Sequence, residues 1–312
     1  MTGKIKTFLS IDDIISNIKS KNIKIKNEKE LKIILEHNNY YFIQGYKELF
    51  KKSDGSYKDN IYFEDIYEFY RFDKKIKLLF AEILFEIEQS VKTIFTNNFC
   101  NRYGFNDIDL LDPSNYDKNN PYLIKILSDL SNQINYFGKT NDAILYYRST
   151  YNFVPIWVLN KVLSFGMIRD LIFCQDVGVK SYVSKKIIFN KNASTKDVQN
   201  MLELLVTYRN ICCHDDVLCG FRHRKVNIMN TPYHCQFKLT KDKNGAYIQG
   251  KKDMFAALIA IKYFVNENEY KNFIISISNL INDFTSKINS INRNELLEYM
   301  NLPIDFERIK DL

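Results

Sequence analysis

Arg209, Asn210 and His214 place a permanent cation, an amide and an imidazole within six residues of a chain that holds four histidines in all. Histidine titrates near neutrality and suits proton transfer. Arginine keeps its charge and presents a planar fork of donors that matches a phosphate. RNA can be cut without a metal when its own 2′-hydroxyl attacks the adjacent phosphorus, provided one group moves protons and a cation stabilises the five-coordinate phosphorus. His214 fits the first task, Arg209 the second, and Asn210 orients the imidazole or bonds a phosphate oxygen. If a helix runs through the motif at about 100° per residue, Asn210 and His214 fall one turn apart on one face with Arg209 one step around. A single helix forms one wall of a groove, so two copies facing each other would make a fuller site, which argues for a homodimer. The spacing alone is also met by an arginine paired to an acidic neighbour and a histidine closing the helix end.

The element that must deliver this motif begins at Ser194, a capping residue with Asp197 three positions on, and turns Val198, Met201, Leu202, Leu205 and Val206 inward. Elsewhere the apolar spacing predicts helices from a Ser10-capped start, over residues 28–37, from 63 to about 95, over 122–137, from Pro155 to Phe173, over 254–265 and over 270–291. Trp157, the single tryptophan, is expected as a core anchor. Glu82, Glu86 and Glu88 read as a solvated face, with Glu88 paired to Lys92 one turn on. Residues 234–249, with an Asn-Gly turn at Asn244-Gly245, read as a small β-hairpin. A turn at residues 52–56 separates an N-terminal helical unit, 1–55, from the rest, but no linker or repeat divides the chain. The expectation is an all-α single body with one minor hairpin.

Composition narrows the partner. The 312 residues carry a net charge of +7, which makes a polyanion a plausible ligand. Arg222, His223, Arg224 and Lys225 form a basic run just after the motif and are candidates for phosphate contact. Tyr40, Tyr41 and Tyr46 with Lys47 form an aromatic and basic cluster that suits stacking of unpaired bases, although packing between helices is the commoner use of such rings. The six cysteines lack zinc-type spacing, so free thiols in a reducing cytoplasm are expected, with no metal and no cofactor. The start, residues 1–4, is polar and carries no signal-peptide core, and no apolar run approaches the roughly 18–20 residues of a membrane span.

Arg209-Asn210-Ile211-Cys212-Cys213-His214 resembles the R-x4-6-H motif of HEPN domains, and the chain as a whole resembles the Abi_2 group of bacterial abortive-infection proteins, the AbiD/AbiF type. Asn39-Tyr40-Tyr41-Phe42-Ile43-Gln44-Gly45-Tyr46 is similar to the N-terminal signature of that group. Phe72-Asp73-Lys74-Lys75-Ile76-Lys77 with Ile87-Glu88 is similar to its middle block, and Pro155-Ile156-Trp157 through Leu163-Ser164-Phe165-Gly166 to a third. The resemblance implies a HEPN-like helical bundle over about residues 60–312, a dimer that brings two motifs together, and metal-independent endoribonuclease activity in phage defence or as a toxin. It further implies a structured noncoding RNA as regulator, with Arg209 and His214 catalytic and Asn210 supporting. Asp215 and Asp216 depart from the group's pattern, since two carboxylates beside the histidine oppose an incoming phosphate. A non-cleaving RNA-binding module of the same fold and a growth inhibitor acting through protein contacts are the alternatives.

Overall fold

A computed structural model of the chain describes residues 8–189 and 192–312, apart from the side chain of Phe42; the polar start at residues 1–4 lies outside these residues. The helices follow in order as α1 Ile11–Ser20, α2 Glu28–His37, α3 Tyr40–Gln44, α4 Phe63–Tyr103, α5 Asp107–Leu111, α6 Leu123–Phe137, α7 Asp142–Tyr151 and α8 Ile156–Leu159. They continue as α9 Phe165–Phe173, α10 Val177–Ile187, α11 Thr195–Cys212, α12 Pro232–Gln236, α13 Met254–Phe264, α14 Glu267–Lys287 and α15 Arg293–Tyr299. Short 3-10 segments lie at Gly45–Phe50, Pro113–Asn115 and Phe306–Asp311. The fold is an all-α bundle: among the described residues there is no β-sheet, only isolated bridges.

The long helix α4, 41 residues, is the axis. Its apolar stripe, with Phe69, Ile76, Phe80, Leu84, Val91 and Phe95 all buried, packs against α11 and α14 and, along its length, against α9 and α10. Gly104 ends α4 at φ +127°, a conformation L side chains avoid, and a Cβ there would collide with the Asp109 carboxylate. Helix α13 is apolar all round except for Lys262, as a helix enclosed on every side must be, and lies on α11. Among the described residues no helix is long and apolar enough to cross a membrane.

Local capping signals fix several starts. Ser10 and Asp13 form a reciprocal capping box at α1, and Ser194 and Asp197 do the same at α11, satisfying amides that the first helical turn leaves unpaired. Three expectations need correction. The segment from Pro155 to Phe173 is two helices, because Ser164 accepts the Met167 amide at 3.2 Å and restarts the chain as α9. Trp157 is therefore not a core anchor; it is half exposed and stacks on Phe105 with ring centroids 6.0 Å apart. The hairpin reduces to its turn, with Gly245 at φ +80° and a single bridge between Lys241 and Tyr247. Its first arm is taken by α12, which Pro232 starts and where the His234 ring accepts the Thr231 amide at 3.0 Å.

Candidate active site

Helix α11 packs against α4, α13, α9 and α10, and its last turn presents the motif. Tyr208 is fully buried and stacks on Phe80 of α4 at 5.7 Å between centroids, which fixes the rotation of that turn. The next residue, Arg209, is consequently directed along the surface of α4. Its Nε donates to Glu88 Oε2 at 2.9 Å, and its guanidinium carbon sits 5.5 Å from the centre of the Phe85 ring. The other oxygen of Glu88, Oε1, takes Lys92 Nζ at 2.7 Å.

Glu88 is thus not on a solvated face. Its partner is Lys92 as the sequence suggests, but both side chains are about nine-tenths buried, and Arg209 completes a triad. Burying an ion is tolerable only when it is closely paired, and here one carboxylate neutralises one of two cations, leaving a net charge of +1. Because Glu88 binds Nε, the two terminal nitrogens of Arg209 make no hydrogen bond among the described residues. They remain as a fork open to an external acceptor.

The histidine does not lie where helical continuation would put it. Helix α11 stops at Cys212, and the His214 amide closes a turn onto the Ile211 carbonyl at 3.2 Å. Asn210 and His214 are both exposed, but they do not share one helical face. The cause lies in α4. Lys77 Nζ, almost fully buried, donates to the carbonyls of His214 at 3.1 Å and Asp216 at 3.0 Å. Asp73, wholly buried one turn earlier, accepts the amides of Leu218 and Cys219 at 3.1 and 2.8 Å, and the Tyr46 hydroxyl at 2.9 Å. Two charged groups desolvated in the core demand backbone partners, and they draw the chain off its helical path to supply them.

The residues singled out from sequence separate into three groups. Arg209, Asn210 and His214 gather at the end of α11, with no hydrogen bond between Arg209 and His214 among the described residues. Arg224 and Lys225 are exposed nearby in the chain, whereas Arg222 is bonded to Asn301. His223 is half-buried and locally engaged: its Nδ1 accepts the amides of Lys225 and Val226 at 3.2 and 2.9 Å, and burial holds its pKa below the usual histidine range. Tyr46 is a core residue at 1% exposure and cannot stack on a base. Burial, reinforced by the Asp73 charge, pushes its hydroxyl well above the normal tyrosine range. Tyr40 is half-buried with its ring 6.5 Å from that of Phe63, Tyr41 is exposed, and Lys47 is half-buried.

Burial, with Cys213 next in weight, pushes the thiol of the intervening Cys212 up to about 12, which disfavours the thiolate a nucleophile needs. Among the described residues no three of His, Cys, Asp and Glu are grouped so as to hold a metal ion. The positioning groups Asp73, Lys77 and Glu88 were not picked out as site residues from sequence. A signal for them was present: each interrupts the apolar stripe of α4, where a charged residue is forced inside.

The searches of curated proteins and of solved structures gave no match. The family model described as Abi-like protein matches residues 33–219, a span that contains Tyr46, Asp73, Lys77, Glu88, Arg209 and the loop from His214 to Cys219. The match covers more than half of the chain, and the two blocks whose residues reach the motif, through Tyr46 and through Asp73, Lys77 and Glu88, both fall inside it. The chain belongs to the Abi-like protein family, whose membership points to abortive infection, a form of phage defence.

Proposed function

We propose that the protein is a metal-independent endoribonuclease of HEPN type, acting in the bacterial cytoplasm as the effector of abortive infection. The observation that carries this reading is the anchoring of Arg209 by Glu88 through Nε alone, which leaves the terminal fork and an unneutralised positive charge for a phosphate. In the reaction the RNA 2′-hydroxyl attacks the neighbouring phosphorus and gives up its proton to His214. Arg209 stabilises the charge on the phosphoryl oxygens, and the 5′-oxygen departs with a proton. The products are a 2′,3′-cyclic phosphate and a 5′-hydroxyl. A second copy facing the first supplies a second His214 as the acid for the leaving oxygen, so a homodimer is the active form. Asn210, exposed beside Arg209, supports phosphate or imidazole, and Arg224 and Lys225 extend contact along the RNA. A structured noncoding RNA is the proposed regulator.

A non-cleaving RNA-binding module is favoured by one feature, the exposed carboxylates of Asp215 and Asp216 directly after His214. Incubating the purified protein with labelled RNA in excess chelator distinguishes the two. Cleavage that His214→Ala abolishes supports the nuclease; tight binding with intact RNA supports the module.

A further inference from the structure

A cleft of about 1390 Å³ opens in the N-terminal part of the molecule, lined by none of Arg209, Asn210 or His214. Seven lysines, Lys19, Lys21, Lys24, Lys26, Lys47, Lys51 and Lys58, border it against two carboxylates, Glu28 and Asp59. Its floor is fixed. The Lys24 amide donates to the Ile61 carbonyl and the Phe63 amide to the Lys24 carbonyl, both at 2.9 Å, while Ile23 and Ile61 anchor the two segments in the core. Asn22 and Asn60, both in left-handed turns at φ +60° and +59°, bend the two segments at the cleft. Lys24 therefore projects from a backbone tied on both sides to the segment that leads into α4.

Four of the seven are tied to carboxylates: Lys19 to Glu28, Lys26 to Asp65, Lys51 to Glu48 and Lys58 to Glu295. Lys21, Lys24 and Lys47 form no ion pair among the described residues; Lys24 donates to the Asn60 side-chain carbonyl at 2.8 Å and lies 5.9 Å from the centre of the Tyr62 ring. Burial, and then the charges of Lys47 and Lys51, hold Lys21 below the usual lysine range. Like charges held together in a concavity raise the local positive potential and draw in an anion.

The form of the cleft selects the anion. It exceeds the roughly 300–1,000 Å³ of small-molecule sites, and lysines rather than apolar groups line it. A concave wall does not fit the plane of a bilayer. Lysines are point charges that grip backbone phosphates without reading bases. Tyr57 and Tyr62 add rings to the wall, with Lys26 Nζ 4.9 Å from the Tyr62 centroid. We propose that this cleft is a second RNA site, holding the sugar–phosphate backbone of an RNA strand through Lys21, Lys24 and Lys47. The assignment rests on the reading above that RNA is the ligand. It also joins the two sites, because Lys47 belongs to the 3-10 segment whose Tyr46 bonds Asp73, the group that holds the loop after His214.

The test is fluorescence anisotropy with a labelled RNA hairpin bearing a single-stranded tail, and with DNA of the same sequence, titrated across ionic strength. The triple variants Lys21→Glu/Lys24→Glu/Lys47→Glu and Lys21→Gln/Lys24→Gln/Lys47→Gln are compared with the full-length wild type, thermal melts confirming that each folds. We expect RNA affinity to fall about tenfold or more in both variants, and the slope of log affinity against log salt to flatten by about 2. Unchanged affinity and slope while RNA is still cut overturns the cleft and leaves the nuclease standing. Binding lost in the variants from an RNA that the wild type never cuts supports the cleft and overturns the nuclease. Equal loss from DNA, bound as tightly as RNA, overturns the choice of RNA, and no binding to either nucleic acid overturns both proposals.

Discussion

The Glu88 carboxylate and the Arg209 guanidinium meet at 2.9 Å across 121 residues of sequence, Oε2 to Nε. One helix, α4, thereby sets the direction of the arginine, while Lys77 and Asp73 farther back on the same helix set the path of the chain that carries the histidine. Both halves of the motif are referred to a single rigid element, as a site that must be held to a fraction of an ångström requires.

Glu88→Ala removes the shared anion and leaves Lys92 buried without its partner. Breaking a buried pair from one side costs about 3 kcal/mol or more. The denaturant midpoint should fall by a corresponding amount, and RNA cleavage by roughly tenfold or beyond as Arg209 loses its anchor. A variant that keeps both wild-type stability and wild-type cleavage would show that the triad positions nothing.

Lys77→Met keeps the bulk of the side chain and removes the donor to the His214 and Asp216 carbonyls. Hydrogen exchange across residues 214–217 should accelerate, while the Leu218 and Cys219 amides, still held by Asp73, exchange more slowly than their neighbours. The turnover number for RNA should fall with little change in KM, because the histidine being displaced is proposed to act in the transition state. Equal protection before and after the substitution would assign the loop geometry to some other contact.

Tyr46→Phe deletes one hydrogen bond to a buried carboxylate and no volume. A loss of about 1.5–3 kcal/mol is expected, the range for a bond to a charged group. Tyr41→Phe, at an exposed position, should change the unfolding free energy by less than about 0.5 kcal/mol. The contrast between these two tyrosines of one signature, five positions apart, read from urea unfolding, fails if their effects are alike.

Acid should destabilise the protein beginning near pH 6.5. Burial lowers the pKa of His223 and of His234 from the ordinary value of 6.5, and the His234 ring is engaged on both sides, by Thr231 and by the Gly250 carbonyl at 2.8 Å. The unfolded chain therefore takes up protons below pH 6.5 that the folded chain refuses until its lower pKa is reached. Stability is fully present above that pH and declines on acidification, by at most about 1.4 kcal/mol per pH unit for each histidine. Thermal melts between pH 7 and pH 5 report the slope, and His223→Gln should flatten it; a wild-type melting point that rises on acidification would reverse the sign.

How far the sequence discloses this architecture depends on the range of the interactions. The start of α11 is legible because Ser194 and Asp197 are a local signal, complete within four residues. Its end is not, since the forces that stop it at Cys212 come from Asp73 and Lys77, more than 130 residues away. Glu88 is misread for a related reason: Lys92 one turn on satisfies a surface pairing rule, although Leu84, Val91 and Phe95 on the same stripe mark the position as interior. The Asn244-Gly245 turn is visible in two residues, while the fate of its arms depends on α12 taking the first of them. Membership of the Abi-like family, carried by several blocks in order, is legible in outline, and the structure adds that Tyr46, Asp73, Lys77 and Glu88 from those blocks converge on one loop and one arginine.

The central claim is that the end of α11 cuts RNA without a metal. Its most direct test follows a defined RNA in excess chelator with the wild type, Arg209→Ala and His214→Ala, and identifies the new ends. The wild type should release fragments ending in a 2′,3′-cyclic phosphate and starting with a 5′-hydroxyl, and both variants should leave the RNA whole. Cleavage that stops on chelation, or that persists unchanged in either variant, contradicts it.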